Sequence, residues 1–305
     1  MKTLGFIVPV YNGEDTLEEL HLRIKMIAQQ LNESYQIVFV NDASPDDSWT
    51  ILQNIKERDN SNVTIIRLMR NAGQHNAIMC GLRYCPTTYL ITLDDDLQTP
   101  PEEIEKLLSH LKLNHLDVVY GVYGNKQHSK IRNLGSSVIQ RIFAIVFKAK
   151  GSISSFRVFT NGLKNRILYY KTQFAFVDGF IHWETIRIGR VEVMHNKRKS
   201  GKSGYTWSKL INLSTNLIFN FTTIPLSVII SLGVIFSIIS FALSLIFIIR
   251  KLIYDVPLGY TSIVVIILFS TGLLLIVIGI LGEYIKRLYL SVLNSPSYTV
   301  DEIIE

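Results

Sequence analysis

The chain has 305 residues, room for one to three domains, and 48% of them are apolar, concentrated toward the C-terminal end. A net charge of +6 suits an anionic membrane surface or a phosphate-bearing substrate but demands neither. Cys80 and Cys85 are the only cysteines, and their spacing matches no metal-ligand or redox motif, so both read as packing residues of a reducing compartment. No signal peptide precedes the first strand, so the soluble part is expected to stay in the cytosol.

The first strand, Leu4–Val10, runs into Pro9-Val10-Tyr11-Asn12-Gly13. A helix over 16–31 follows, with Leu17, Leu20, Ile24, Ile27 and Leu31 at helical spacing. A second strand, 37–40, ends in Asn41-Asp42-Ala43-Ser44-Pro45-Asp46-Asp47-Ser48, where Ser44 or Asp46 can cap a helix continuing through Ile55. A third, 63–68, ends in Arg70-Asn71-Ala72-Gly73-Gln74-His75-Asn76, before a helix toward Tyr84. The fourth, 89–93, leads straight into Asp94-Asp95-Asp96-Leu97-Gln98, and Pro100, Pro101, Glu102 and Glu103 then suit a helix start. A fifth strand covers 117–122. Strands alternating with helices predict an α/β fold, Rossmann-like, with a mostly parallel sheet and right-handed crossovers. The polar loops after the first four strands should then share one sheet edge, where such folds bind ligands. No Gly-x-Gly-x-x-Gly or Walker-type loop is present, which argues against dinucleotide and P-loop chemistry.

The three acids at the end of the fourth strand repel one another unless a cation sits among them. Hard cations such as Mg²⁺ and Mn²⁺ take oxygen ligands and bridge carboxylates to substrate phosphates. The plainer reading of the acids alone is a solvated turn.

Two segments combine apolar and aromatic residues with flanking charge. Residues 131–149 carry Leu134, Val138, Ile142, Phe143 and Phe147 between Lys130, Arg132, Arg141, Lys148 and Lys150. Residues 207–221 carry Leu210, Leu213, Leu217, Phe219 and Phe221. Each reads as an interfacial amphipathic helix or as an ordinary core-facing one, and the second leans to the membrane because it leads into an apolar span. Residues 226–249 and 260–282 contain no charged residue. At 1.5 Å per residue, two dozen residues give roughly 36 Å, enough to cross a ~30 Å hydrocarbon layer. A transmembrane hairpin follows, joined by a short polar loop and closed by Glu283, Lys286 and Arg287. The positive-inside margin is thin, so the orientation rests on the absent signal peptide.

Taken as an ordered set, several motifs resemble family 2 glycosyltransferases of the GT-A fold, and more narrowly the polyprenyl-phosphate glycosyltransferases, over nearly the whole chain. They are Pro9-Val10-Tyr11-Asn12, Asn41-Asp42-Ala43-Ser44, Arg70-Asn71-x-Gly73, Asp94-Asp95-Asp96-Leu97-Gln98-x-Pro100-Pro101-Glu102 and His195-x-x-Arg198-x-x-Gly201-Lys202-Ser203-Gly204-Tyr205. The resemblance implies a nucleotide pocket lined by Pro9, Tyr11, Asn12 and Glu14. Asp42 would accept a hydrogen bond from the base with Ser44 beside it, or serve only as a turn residue. It implies an Asp-x-Asp pair, Asp94 and Asp96, holding Mg²⁺ or Mn²⁺ with Gln98 as a third oxygen ligand. Asp95 would be solvated or touch the ribose.

The run Asn196-Lys197-Arg198-Lys199-Ser200-Gly201-Lys202-Ser203 reads as a solvated loop or a membrane contact; nucleic-acid binding suits it least beside an apolar hairpin. The resemblance favours phosphate work by Arg198, Lys202 and Ser203. Lys130, Arg132 and Arg157 are candidates for the acceptor phosphate, and His195 for a structural role. Several relatives carry an acid just before Phe-Arg, where this chain has Ser155. That departure weakens any proposal of a carboxylate base. A lipid monophosphate has its second pKa at about 6 and needs no base to attack.

The expected architecture is a GT-A domain over 1–205, a juxtamembrane amphipathic segment over 206–225, a hairpin over 226–284 and a cytosolic tail over 285–305. The expected reaction moves a sugar, with inversion, from a nucleotide sugar, foremost a UDP-sugar, to polyprenyl (undecaprenyl) phosphate at the cytosolic leaflet of the inner membrane, for cell-envelope glycan modification. Relatives that assemble leave a homo-oligomer open. A processive polysaccharide synthase is disfavoured, because Gln140-Arg141 does not match Gln-x-x-Arg-Trp and only two spans are present. A membrane-anchored, non-catalytic nucleotide-sugar scaffold is the other alternative.

Overall fold

The computed structural model describes residues 2–123, 146–147, 152–170, 172, 174–196, 207–253, 259–293 and 296–305. The chain divides into two compact units, Met1–Leu210 with Asn294–Glu305, and Ile211–Leu293.

In the first unit, the described strands are β1 (Leu4–Val10), β2 (Tyr35–Asn41), β3 (Val63–Leu68), β4 (Tyr89–Thr92), β5 (Val118–Tyr123), β6 (Arg157–Thr160), β7 (Ile188–Val193) and β8 (Val300–Ile304). They form one sheet in the order β7-β5-β6-β4-β1-β2-β3-β8. The pairings β1–β2, β1–β4, β2–β3 and β5–β7 are parallel, whereas β6 and β8 run antiparallel to their neighbours. Because β6 reverses between β4 and β5, the strands β1–β5 and β7 all point the same way. Their C-terminal ends therefore share one edge, together with the start of β6. β1 is buried at all seven positions, as expected of a central strand covered on both faces.

Helices α1 (Leu17–Gln30), α2 (Ser48–Arg58) and α4 (Ile104–Leu113) cover one face. Their Leu20, Ile24, Leu52, Ile55 and Leu107 pack with Phe6, Val8 and Phe39 of the sheet. Helix α3 (Gln74–Arg83) covers the other face. It approaches closely at Gly81, where an added Cβ would stand 2.7 Å from Ile7 and 3.1 Å from Val40. Alternate residues of β1 thus face opposite layers, the period-two rule of a strand. Helices α5 (Asn161–Ile167) and α6 (Val177–Glu184) follow β6. Cys80 and Cys85 are buried, and burial pushes their thiols up to about 12 and about 11, consistent with inert packing residues.

Three strands lie outside the sequence-based expectation. β6 carries a charged residue, β7 alternates weakly, and β8 lies in the segment expected to be only a tail. β8 pairs antiparallel with β3, and Arg67 of β3 meets Asp301 at 2.7 Å and Glu302 at 2.9 Å. This pairing joins segments at opposite ends of the chain, which no local pattern announces.

The second unit holds most of α7 (Trp207–Phe221), with α8 (Ile224–Ile253) and α9 (Tyr260–Val292). Both expected spans are helical. α8 continues through Arg250 and Lys251 to Ile253, where a loop was expected, and α9 runs past the apolar stretch to Val292. Helix continuation needs no apolar residue, and an i,i+4 pair between Glu283 and Arg287 at 2.7 Å supports it. Among the described residues, Ile224–Leu243 is long and apolar enough to cross a membrane, and none of that stretch is buried. The rings of Phe236 and Phe269 lie 6.1 Å apart between α8 and α9. Of the first amphipathic segment only Val146 and Phe147 are described, and the Phe147 ring stacks 6.3 Å from that of Phe176.

Candidate active site

The loops after β1 and β2 are stitched together by side chains accepting from backbone N–H groups. Asn12 N–H donates to Ser44 Oγ at 2.7 Å, Gly13 N–H to Ser48 Oγ at 3.1 Å, and Glu14 N–H to Asp46 Oδ2 at 3.1 Å. Glu14 returns the bond by accepting from Asp47 N–H at 3.0 Å. Asp46 also accepts from Ser48 N–H at 3.3 Å, in place of a side-chain cap from Asp47 at the start of α2. Asn12 (φ 57°), Ala43 (φ 52°) and Leu97 (φ 56°) all adopt the left-handed region without being glycine. Strain of this kind persists where surrounding bonds over-determine the backbone. Tyr11, Asn12 and Glu14 are exposed at the sheet edge, whereas Pro9 is buried within β1 opposite Val40.

The three adjacent acids have different surroundings. Asp94 accepts from Gln74 Nε2 on one oxygen at 2.5 Å and from Ser155 Oγ on the other at 2.6 Å. Asp95 accepts from Tyr11 N–H at 3.0 Å, and its Oδ2 stands where it would meet a Cβ on Gly13 at 2.7 Å. Asp95 is thus a tie between the β4 and β1 loops, which sequence reasoning left as solvated or ribose-facing. Asp96 accepts from Gln98 N–H at 3.1 Å, closing the turn at Leu97. Replacing Gly13 by alanine is expected to push Asp95 off Tyr11 N–H and destabilise the chain by about 1 kcal/mol, the net worth of one hydrogen bond. Denaturant titration of the variant checks this, and an unchanged stability would mean that the tie does not hold the two loops together.

Asp42 is 3% exposed and uses both carboxylate oxygens internally, accepting from Ala72 N–H at 2.6 Å and Gly73 N–H at 2.8 Å. Burial pushes its carboxyl up against the opposing pull of those two donors. It organises the β3–α3 loop and delivers Gln74 to Asp94. Arg157 requires a correction. It was expected at the acceptor phosphate, but it is fully buried in β6 and ion-paired with Asp178 of α6, which also accepts from Tyr120 OH at 3.0 Å. A guanidinium sealed in this way reaches no lipid headgroup. Lys130, Arg132, Arg198, Lys202 and Ser203 lie outside the described residues.

Tyr123, which carried no expectation, completes the edge together with His195, for which a structural role was expected. Tyr123, at the end of β5, pairs its hydroxyl with Thr99 Oγ1 at 2.9 Å. Burial, with Asp94 and Asp96 adding charge repulsion, pushes its phenol up to about 12. His195 lays its ring 4.1 Å from that of Tyr123, and Asn196 N–H donates to the Gln98 carbonyl at 2.7 Å. The start of the basic run is thereby pinned to the acidic loop. His195, Asn196 and Gln98 already belong to the quoted motifs, whereas Tyr123 carries no sequence signal.

His75, next to Gln74, packs its ring edge-on against Phe176 at 4.9 Å and accepts from Val177 N–H through Nδ1 at 3.4 Å. Burial, opposed by Asp178 and reinforced by Arg157, holds its pKa down at about 4. The unfolded chain therefore binds more protons here between about pH 6.5 and 4, and stability falls as pH drops through that window. The loss is at most about 3 kcal/mol, and less because the ring keeps some solvent contact. Comparing denaturation midpoints of wild type and His75→Phe at pH 7 and pH 4.5 checks this; an equal pH dependence in both would remove His75 as the source.

Among the described residues, no group of three or more His, Cys, Asp or Glu side chains forms an ion cage. The donors after β4 are two carboxylates and a side-chain amide, all hard oxygens. That set fits a divalent ion that completes its shell with water and substrate phosphate, the usual habit of Mg²⁺.

An α/β sheet of this order, with bonded loops and an acidic turn on one edge, defines a GT-A-like protein. The sequence profile of Glycosyl transferase family 2 matches residues 6–169, more than half of the chain. The chain belongs to that family and is a family 2 glycosyltransferase. It is 31% identical to the undecaprenyl-phosphate 4-deoxy-4-formamido-L-arabinose transferase of Klebsiella pneumoniae over 309 aligned positions, covering 100% of this chain and 94% of that one. Among solved structures it is similar to glucosyl-3-phosphoglycerate synthase from Mycobacterium tuberculosis in complex with Mn²⁺, UDP and glucosyl-3-phosphoglycerate, at TM-score 0.50 and 14% identity over 72% of this chain and 78% of that one. The same enzyme in complex with phosphoglyceric acid matches at TM-score 0.50 and 13% identity, covering 72% and 79%.

Proposed function

We propose that this glycosyltransferase moves a sugar from a UDP-sugar to undecaprenyl phosphate at the cytosolic face of a membrane. The observation that carries this reading is the likeness to the Klebsiella transferase over the entire chain, apolar helices included. The apolar helices support the membrane part of this reading. The chain leaves the catalytic unit at Leu210 and rejoins it at Asn294, and β8 belongs to the same sheet as β1. With α8 read as a membrane span, α9 is read as the return span, because both flanking segments belong to one aqueous unit.

Asp94, Asp96 and Gln98 would hold Mg²⁺ or Mn²⁺, which when bound offsets the negative charge on the departing UDP. Tyr11, Asn12 and Glu14 line the nucleotide pocket, with Asp42 and Ser44 beneath it. Arg198, Lys202 and Ser203 supply donors to phosphate oxygens. The Asn196–Gln98 hydrogen bond supports that role, since it anchors the chain just before them. Lys130 and Arg132 grip the acceptor phosphate. The nucleophile is already a dianion at neutral pH, so the protein's task is positioning and charge neutralisation rather than proton removal. In-line attack inverts the anomeric carbon.

The test is a panel of nucleotide sugars offered to the bilayer-reconstituted protein with undecaprenyl phosphate and Mg²⁺ or Mn²⁺, reading lipid-linked product by mass. Product from a UDP-sugar is expected. UDP-sugar binding without product under every combination would favour a non-catalytic scaffold.

A further inference from the structure

Asp94 is held in an arrangement that its own sequence neighbourhood does not contain. The last torsion of an aspartate is soft, so its carboxylate plane turns freely unless both oxygens are engaged. Here both are engaged, and by different elements. Gln74, the first residue of α3, reaches one oxygen at 2.5 Å, and Ser155, two residues ahead of β6, reaches the other at 2.6 Å. Each clamp is itself locked. The turn before Gln74 passes through Gly73 at φ +88°, and the N–H groups of Ala72 and Gly73 are tied to buried Asp42. The Ser155 carbonyl accepts from Thr92 Oγ1 at 2.6 Å, two residues before Asp94 itself.

Both donors are neutral. A lysine or arginine in either place would cancel the carboxylate's charge and compete with a cation. An acid in place of Ser155 would set two carboxylates in contact, which one proton or one ion must then bridge.

Building on the metal site assigned above, we propose that Gln74 and Ser155 are positioning residues that fix the orientation of the Asp94 carboxylate for a divalent cation. Partners that orient a ligand in this way are worth about 10–100-fold in metal affinity. Ser155→Ala and Gln74→Ala should therefore each raise the Mn²⁺ dissociation constant of the detergent-solubilised full chain by roughly tenfold or more. Ser155→Thr, which keeps the hydroxyl, should restore it.

The readout is Mn²⁺ binding followed by the loss of the free-ion electron paramagnetic resonance signal, with UDP present and no acceptor, alongside thermal melting of each variant. Weaker binding in the two alanine variants at near-native melting, with rescue by threonine, supports the clamp. Equal Mn²⁺ affinity in wild type and both alanine variants overturns it while leaving the metal site standing. Alanine variants that melt early yet bind Mn²⁺ as wild type does overturn it too, since the contacts are then only structural. A wild-type chain that takes up no Mn²⁺ overturns the clamp and the metal site together.

Discussion

Replacing Asp96 by alanine is expected to lower sugar transfer by roughly a hundredfold or more while the protein stays folded, because a catalytic divalent ion supplies several kcal/mol and each 1.4 kcal/mol is a factor of ten. The bond described for Asp96 is to Gln98 N–H within the same turn, worth about 1 kcal/mol, and the melting curve of the variant reports the cost of the change to the fold. Its neighbour makes the control. Asp95 holds Tyr11 N–H and faces Gly13, so Asp95→Ala should loosen the β1 loop and UDP binding without changing which metals support the residual reaction. Transfer rates across an Mg²⁺ and Mn²⁺ titration, with melting curves for each variant, separate the two effects. Full activity in Asp96→Ala would remove this residue from the site.

The second large effect concerns stability. Breaking the Arg157–Asp178 pair on one side should cost about 3–5 kcal/mol, the usual penalty for a buried charge left without its partner. Arg157 is fully buried, and its Nε and Nη2 have no hydrogen-bond partner among the described residues, so the pair with Asp178 carries most of its compensation. Burial opposes the guanidinium's charge, and Asp178 and Tyr120 more than restore it, so its pKa lies above the ordinary value. Arg157→Met strands the Asp178 carboxylate, and Asp178→Leu strands the guanidinium. Arg157→Met combined with Asp178→Leu removes both charges and should lie much closer to wild type than either single change. Denaturant titration of the four proteins measures this cycle. Single-variant losses below about 1 kcal/mol would show that the pair is not holding β6 in place. The consequence reaches the site, since β6 begins two residues after Ser155.

Much of the sheet was readable because its first five strands are contiguous apolar runs, each followed by a polar loop. β1 and β3 start and end at the residues the pattern indicated, β4 differs by one residue at its end, and β2 and β5 differ by one or two residues at each end. β6 escaped because Arg157 sits inside it, and a charged residue reads as surface until Asp178, on a later helix, explains its burial. β8 escaped because its partner β3 lies across nearly the whole chain. In the site, the four loop motifs pointed to one edge correctly, since parallel strands of a sheet leave no other place for them. The work done by each acid was not readable. Asp94, Asp95 and Asp96 are identical side chains in succession, and contacts from Gln74, Ser155, Tyr11 and Gln98 distinguish them.

Hydrophobic period and motif order are local properties that survive without coordinates, so the α/β class, the acidic loop and the family can be read from the residues alone. The burial of Arg157, the loop organised by Asp42, the tie made by Asp95 and the pairing of β8 with β3 emerge with the folded chain. Those are pairings between residues far apart in the chain, and a hydrogen bond or ion pair of that kind exists only once the backbone has brought its two ends within about 3 Å.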